Sequence, residues 1–247
     1  MEQQNEKKKV NKFVVVIITL LLIAIAGLTT ALVIVIRNNE IKASQQKQTN
    51  EIANRMENRH FNPVSYKPII YLYPTEEMNV NVKLLLKDNI TVSYPKYLDG
   101  WNVIAKEDGT LIDLDTNKEL YSLYYECDNE KIFNIEEDGF VVEGKDVAEF
   151  LDEKLEILGL NSKEREEFII YWLPKLEANK YNYIRFATKE EIDNNMPLEI
   201  TPVPETTIRV LMTYKGLDES IDVKEQELTR VERSGYTAVE WGGTEIK

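Results

Sequence analysis

Three short stretches set aromatic rings beside carboxylates. "LYYEC" holds Tyr124 and Glu126, "VEWGG" holds Glu240 and Trp241, and "DGW" runs from Asp99 to Trp101; "YWLPK" adds Trp172. Ring faces stack on the CH faces of sugars, and carboxylates accept hydrogen bonds from sugar hydroxyls. Two converging carboxylates can also serve glycoside hydrolysis as acid and base. Trp and Tyr at strand positions equally fill cores. The candidate ligand-binding set is therefore Trp101, Tyr124, Glu126, Trp172, Glu240 and Trp241, with no catalytic residue assigned.

A second constellation is Asp113-x-Asp115-x-Asn117-x-Glu119. Its first three oxygens match the start of a calcium loop, but position six is Lys118 rather than Gly and position twelve is Tyr124 rather than Glu. A hairpin turn is the expectation, and no metal site is assigned.

Other chemistries lack their side chains. The only His is His60, ahead of the folded domain, so a Ser or Cys nucleophile has no imidazole base beside it. Cys127 is the only Cys, which rules out an internal disulfide and a thiolate zinc site. No phosphate-cradling glycine motif and no H-E-x-x-H occur, so no cofactor is expected.

The elements that must position these residues follow a hydrophobic N-terminal run. Residues 13–36 carry no charge over 24 positions, and at the helical rise they reach roughly 36 Å, more than the hydrocarbon core of a bilayer. Ala24-Ile25-Ala26 has the small residues of a signal cleavage site, but the apolar run continues ten residues past it, as an uncleaved anchor does. Lys7, Lys8, Lys9 and Lys12 precede the run, whereas Arg37 and Lys42 follow with Glu40 between them. That bias places residues 1–12 in the cytoplasm, and the rest outside, after a single transmembrane helix. Residues 37–62, rich in Gln, Asn, Lys and Glu, read as a polar stalk.

Charge separates the two parts. Residues 1–60 hold nine of the 30 Lys/Arg and five of the 43 Asp/Glu, a net of +4; the remainder holds the other 21 and 38, a net of −17. A domain this acidic is repelled by phosphate backbones, so nucleic acid is not an expected partner.

From residue 63 the texture is that of an α+β domain, mostly antiparallel β, with one or two helices. "PIIYLYP" is a Pro-bounded run expected to be a strand buried on both faces, with Ile69, Ile70 and Leu72 in the core. "MNVNVKLLL", "ITVSYP", "WNVIAKE", "ELYSLYYE" and "FVVEG" continue the pattern, separated by turn signals such as "LDG" and "EEDG". Asp146 and Glu149 form a capping pair ahead of the stripe Val147, Phe150, Leu151, Leu155 and Leu158, and Gly159 is placed to end that helix. Asn161 and Glu164 repeat the signal for a second, shorter helix. The β-branched and aromatic run "FIIYWLP" predicts a strand after it. "YNYIRFA", "TIRVLMTYK" and "YTAVEW" predict further strands.

The stretches "KPIIYLYP", "DGW", "GFVV" with "FLDEKLEILGL", "EFIIYWLPKLEANKYNYIRF" and "EWGG" resemble a family of bacterial proteins of unknown function, over about residues 67–243. The resemblance implies the domain's limits and no activity. The expected function is thus a single-pass, membrane-anchored envelope protein. Its extracytoplasmic domain binds an envelope polysaccharide or protein without catalysis. The alternative is a carboxylate-based hydrolase of envelope polysaccharide.

Overall fold

The computed structural model describes residues 67–86, 90–127 and 135–246, together with Ile17, Leu20, Arg37 and Lys42. The chain divides into two units, Met1–Asn62 and Pro63–Lys247. The expected tail, and nearly all of the apolar run and stalk, lie outside the described residues. Among those described, no helix is long and apolar enough to cross a membrane.

The second unit is an α+β fold built on two sheets. Its eight-stranded sheet has the order β12-β8-β9-β11-β13-β1-β7-β3. These strands are β1 (Ile69–Tyr73), β3 (Ile90–Tyr94), β7 (Leu123–Cys127), β8 (Asp138–Glu143), β9 (Tyr181–Phe186), β11 (Thr206–Leu217), β12 (Lys224–Glu225) and β13 (Thr237–Glu245). A five-stranded sheet, β10-β2-β4-β5-β6, contains β2 (Met78–Leu84), β4 (Trp101–Ala105), β5 (Leu111–Asp113), β6 (Glu119–Leu120) and β10 (Leu198–Thr201). Pairing is antiparallel except between β11 and β13 and between β8 and β12.

β1 answers for its own sequence. Successive side chains point to opposite faces. Ile70 and Leu72 enter a core shared with the five-stranded sheet, while Tyr71 enters a second core shared with the helices. A strand walled on both sides has no use for alternation, hence the unbroken apolar run.

The helices covering the second core are α1 (Val147–Ile157) and α2 (Ser162–Leu176). α1 buries Val147, Leu151 and Leu155, and its end is closed at Gly159, φ +92°, by Gly159 N–H to Glu156 O and Leu160 N–H to Leu155 O, both at 3.0 Å. This double bond with a left-handed residue is a Schellman cap, and the buried Leu160 supplies its apolar contact. At the other end the expected capping pair is not made. A 3-10 turn, Gly144–Asp146, leads in, and the Asp146 side chain caps nothing.

α2 corrects a larger expectation. "FIIYWLP" is not a strand; it continues the helix to Leu176. The box at Asn161 sets the register: Glu164 N–H donates to Asn161 Oδ1 at 3.0 Å, and Asn161 N–H donates to Glu164 Oε2 at 2.8 Å. Counting in fours from that cap puts Glu164, Phe168, Trp172 and Leu176 on one buried face. Ile170 falls on the opposite side, 67% exposed. Helical period overrides the strand preference of Ile-Ile-Tyr-Trp.

A third helix, α3 (Lys189–Asn195), exceeds the expected one or two. It opens on another capping box, Thr188 with Glu191. The Asp113–Glu119 segment is the β5–β6 turn, as expected. Asp113 accepts from Thr116 Oγ1, Asn117 N–H donates to Asp113 O at 2.7 Å, and Asn117 takes φ +56°.

Candidate functional site

Three of the sequence-predicted ligand contacts are core. Trp101 is 1% exposed between the sheets, its Nε1–H donating to Pro95 O at 2.9 Å. Trp172, on the buried face of α2, and Trp241, beneath that helix, are 2% and 0% exposed, and Phe168 packs edge-on to Trp241 at 5.2 Å between ring centres. A buried ring offers no face to a sugar, so these three are corrected to structural residues.

Glu240 is also buried, 4% exposed, and occupies the opposite side of the sheet from Glu126. The strand pleat decides this. Tyr125 belongs to the core between the sheets, so its neighbours Tyr124 and Glu126 point to the helix side. Glu240 instead receives a hydrogen bond from Tyr125 Oη at 2.8 Å. The two carboxylates that adjoin aromatic residues in sequence therefore form no acid–base pair.

Around Glu240 the sheet holds an ion network. Arg209, with a side chain 4% exposed, donates from Nε to Glu240 Oε2 at 2.6 Å, from Nη1 to Asp193 Oδ1 at 2.9 Å, and from Nη2 to Met196 O at 2.6 Å. Burial is the largest influence and works against the guanidinium charge, but Glu240, Tyr125 and Asp193 together hold Arg209 above the ordinary arginine range. Burial, then the Glu240 carboxylate, push the Tyr125 hydroxyl well up, so it remains a donor. Glu240 was in the sequence-predicted set, but its partners Arg209, Asp193 and Tyr125 were missed; the signal was an Arg inside the apolar run "TIRVLM".

α3 is tied down by two arginines, Arg185 and Arg209. Glu191 accepts from Arg185 Nη1 at 3.0 Å, and Asp193 accepts from Arg209. Burial raises both carboxyls, but hydrogen bonds from Thr188 and Arg185 to Glu191, and from Lys189 and Arg209 to Asp193, leave both below their ordinary values of 4.5 and 3.8. A depressed folded value gives stability that is present above the unfolded value and lost as pH falls through the folded one. The melting temperature should accordingly drop as pH is lowered below about 4, with α3 amides the first to exchange. A Glu191→Gln/Asp193→Asn variant should melt lower at pH 6 and show a flatter acid profile. An unchanged profile would mean the two carboxylates do not clamp the helix.

The exposed aromatic residues collect elsewhere. α1 and α2 cover the sheet from β8 to β1, and no residue of β3 or β7 belongs to that core. On this helix-side face Tyr94 lies opposite Tyr124, and Val92 opposite Glu126. Cross-strand partners share a face. Tyr94 is 54% exposed, Val92 is exposed, and Tyr124 and Glu126 are half-buried. Tyr124 Oη donates to Glu126, and burial, then that bond, raise its pKa well above the tyrosine norm.

α2 borders this face. Lys67 Nζ sits 3.5 Å from the Tyr171 ring centre and Lys175 Nζ 3.7 Å, while Lys163 lies 4.4 Å over Tyr121. Burial, then the Lys175 ammonium, hold Lys67 below the ordinary lysine range; Glu126 and Glu167 pull the other way. With ammonium groups on Tyr171 and Tyr121, the rings of Tyr94 and Tyr124 are the pair left for a ligand face. Tyr94 was not in the sequence-predicted set, and only its pairing with Tyr124 reveals it. Among the described residues no group of three or more His, Cys, Asp or Glu is placed to hold a metal ion. No family model, curated protein or solved structure matches the chain.

Proposed function

We propose that the Pro63–Lys247 unit is a noncatalytic binding domain of a single-pass envelope protein. Residues 13–36 anchor it, with the N-terminus in the cytoplasm, and Tyr94, Tyr124 and Glu126 take envelope polysaccharide. The uncharged run of 24 residues and the four lysines before it support the anchor and its orientation. The observation that carries the binding reading is the cross-strand pair Tyr94–Tyr124 on the end of the sheet, β7 and β3, that the helices leave uncovered. Paired ring faces with a carboxylate alongside suit sugar CH faces and hydroxyls. Glu126 and Glu240 stand on opposite sides of one sheet, so that pair gives no support to the alternative, a carboxylate-based hydrolase.

Retention of the full-length chain, in detergent, on isolated cell-wall polysaccharide tests this. Loss of two aromatic contacts, each about 0.5–1.5 kcal/mol, should weaken retention about 5- to 150-fold in a Tyr94→Ala/Tyr124→Ala variant. Its melting temperature should move little, since neither ring is core. Wild-type retention in that variant would overturn the reading.

A further inference from the structure

One edge of β8 is paired with β9 from Phe140 to Glu143, and the other is nearly bare among the described residues. There β12 pairs only at Asp138 and Gly139. Lys224 N–H donates to Glu137 O at 3.0 Å and Gln226 N–H to Gly139 O at 3.1 Å. Odd-numbered residues of this strand therefore turn their backbone groups to that edge. The chain then leaves it. The Gln226 side chain is committed to Phe186, accepting from its N–H at 3.0 Å and donating to its O at 2.7 Å. Val141, next in phase, faces an edge where no strand lies beside it among the described residues.

This bare edge opens into a cavity of about 670 Å³ between α1 and the segment before β12. Its apolar floor is Phe140 and Phe150, edge to face at 5.1 Å. Lys154 Nζ hangs over both rings, at 5.3 and 5.9 Å, so the floor already receives a cation from the chain itself. The walls carry Asp146, Glu149, Asp222 and Glu225, none in an ion pair among the described residues.

We propose that this groove docks an extended basic peptide of a partner protein, which adds as a strand beside Val141 in line with β12. The open edge supplies the backbone bonds and the carboxylate walls select the charge. A polyamine would satisfy the carboxylates but leave the Val141 N–H and C=O unmatched. A second copy of this domain, net −17 outside the N-terminal region, would bring carboxylates against carboxylates.

The probe is an acetylated octapeptide of alternating lysine and valine, titrated into the full-length chain in detergent, with hydrogen exchange read at Val141. Exchange at the Val141 amide should slow about tenfold or more on binding. A Glu149→Gln/Asp222→Asn variant should bind about tenfold or more weakly with its melting temperature retained. Failure to bind, binding without protection at Val141, or equal protection by spermine or by a glutamate–valine octapeptide would overturn the proposal.

Discussion

Trp241→Ala is expected to lower the unfolding free energy of the Pro63–Lys247 unit by about 3–5 kcal/mol, read by urea titration. Trp241 is wholly buried, with Phe168 packed on its ring and its Nε1–H donating to Tyr71 Oη at 3.2 Å. Truncation removes a large apolar volume at the junction of β1, β13 and α2, where rigid strands cannot close the hole. The neighbouring glycine shows how full the layer is. A Cβ at Gly243 would come within 2.7 Å of the Trp172 ring, so "EWGG" makes room for one Trp rather than forming a ligand loop. Should Trp241→Ala instead lose polysaccharide retention with an unchanged transition, the ring would be a ligand contact and the packing argument would fail.

This reversal shows what the sequence carries. Signals confined to neighbouring residues were legible: the Asn161–Glu164 box, the cap at Gly159, the turn after Asp113, and the fully apolar β1. α3 was legible in principle, since Thr188-x-x-Glu191 precedes Ile192, but seven residues give too little periodicity to stand out. What alternation does not state is which layer lies over each face. In "LYYEC" alternation sets Leu123, Tyr125 and Cys127 against Tyr124 and Glu126, but nothing local says whether the second face meets a helix or is left open. That is decided by where α2 ends and by β3 pairing on the far side of β7, both long-range outcomes. The Trp residues were misread for the same reason: a ring beside a carboxylate reads alike whether a helix covers it or not. The helical run "FIIYWLP" adds a further lesson, that a good cap upstream can set a period that local β preference does not survive.

The buried ion network gives the second large effect. Arg209→Met is expected to cost about 3–5 kcal/mol, because it leaves the Glu240 carboxylate buried without its cation. The pair itself need not be worth that much, since desolvation offsets most of the attraction between the two charges. A double-mutant cycle separates the two. In Arg209→Met/Glu240→Gln the stranded charge is gone, while the new amide oxygen still accepts from Tyr125 Oη. The double variant should therefore be more stable than Arg209→Met alone, with a coupling of about 1–3 kcal/mol. Strictly additive effects would mean that Glu240 is hydrated in the folded protein and that the network does not tie β13 to α3.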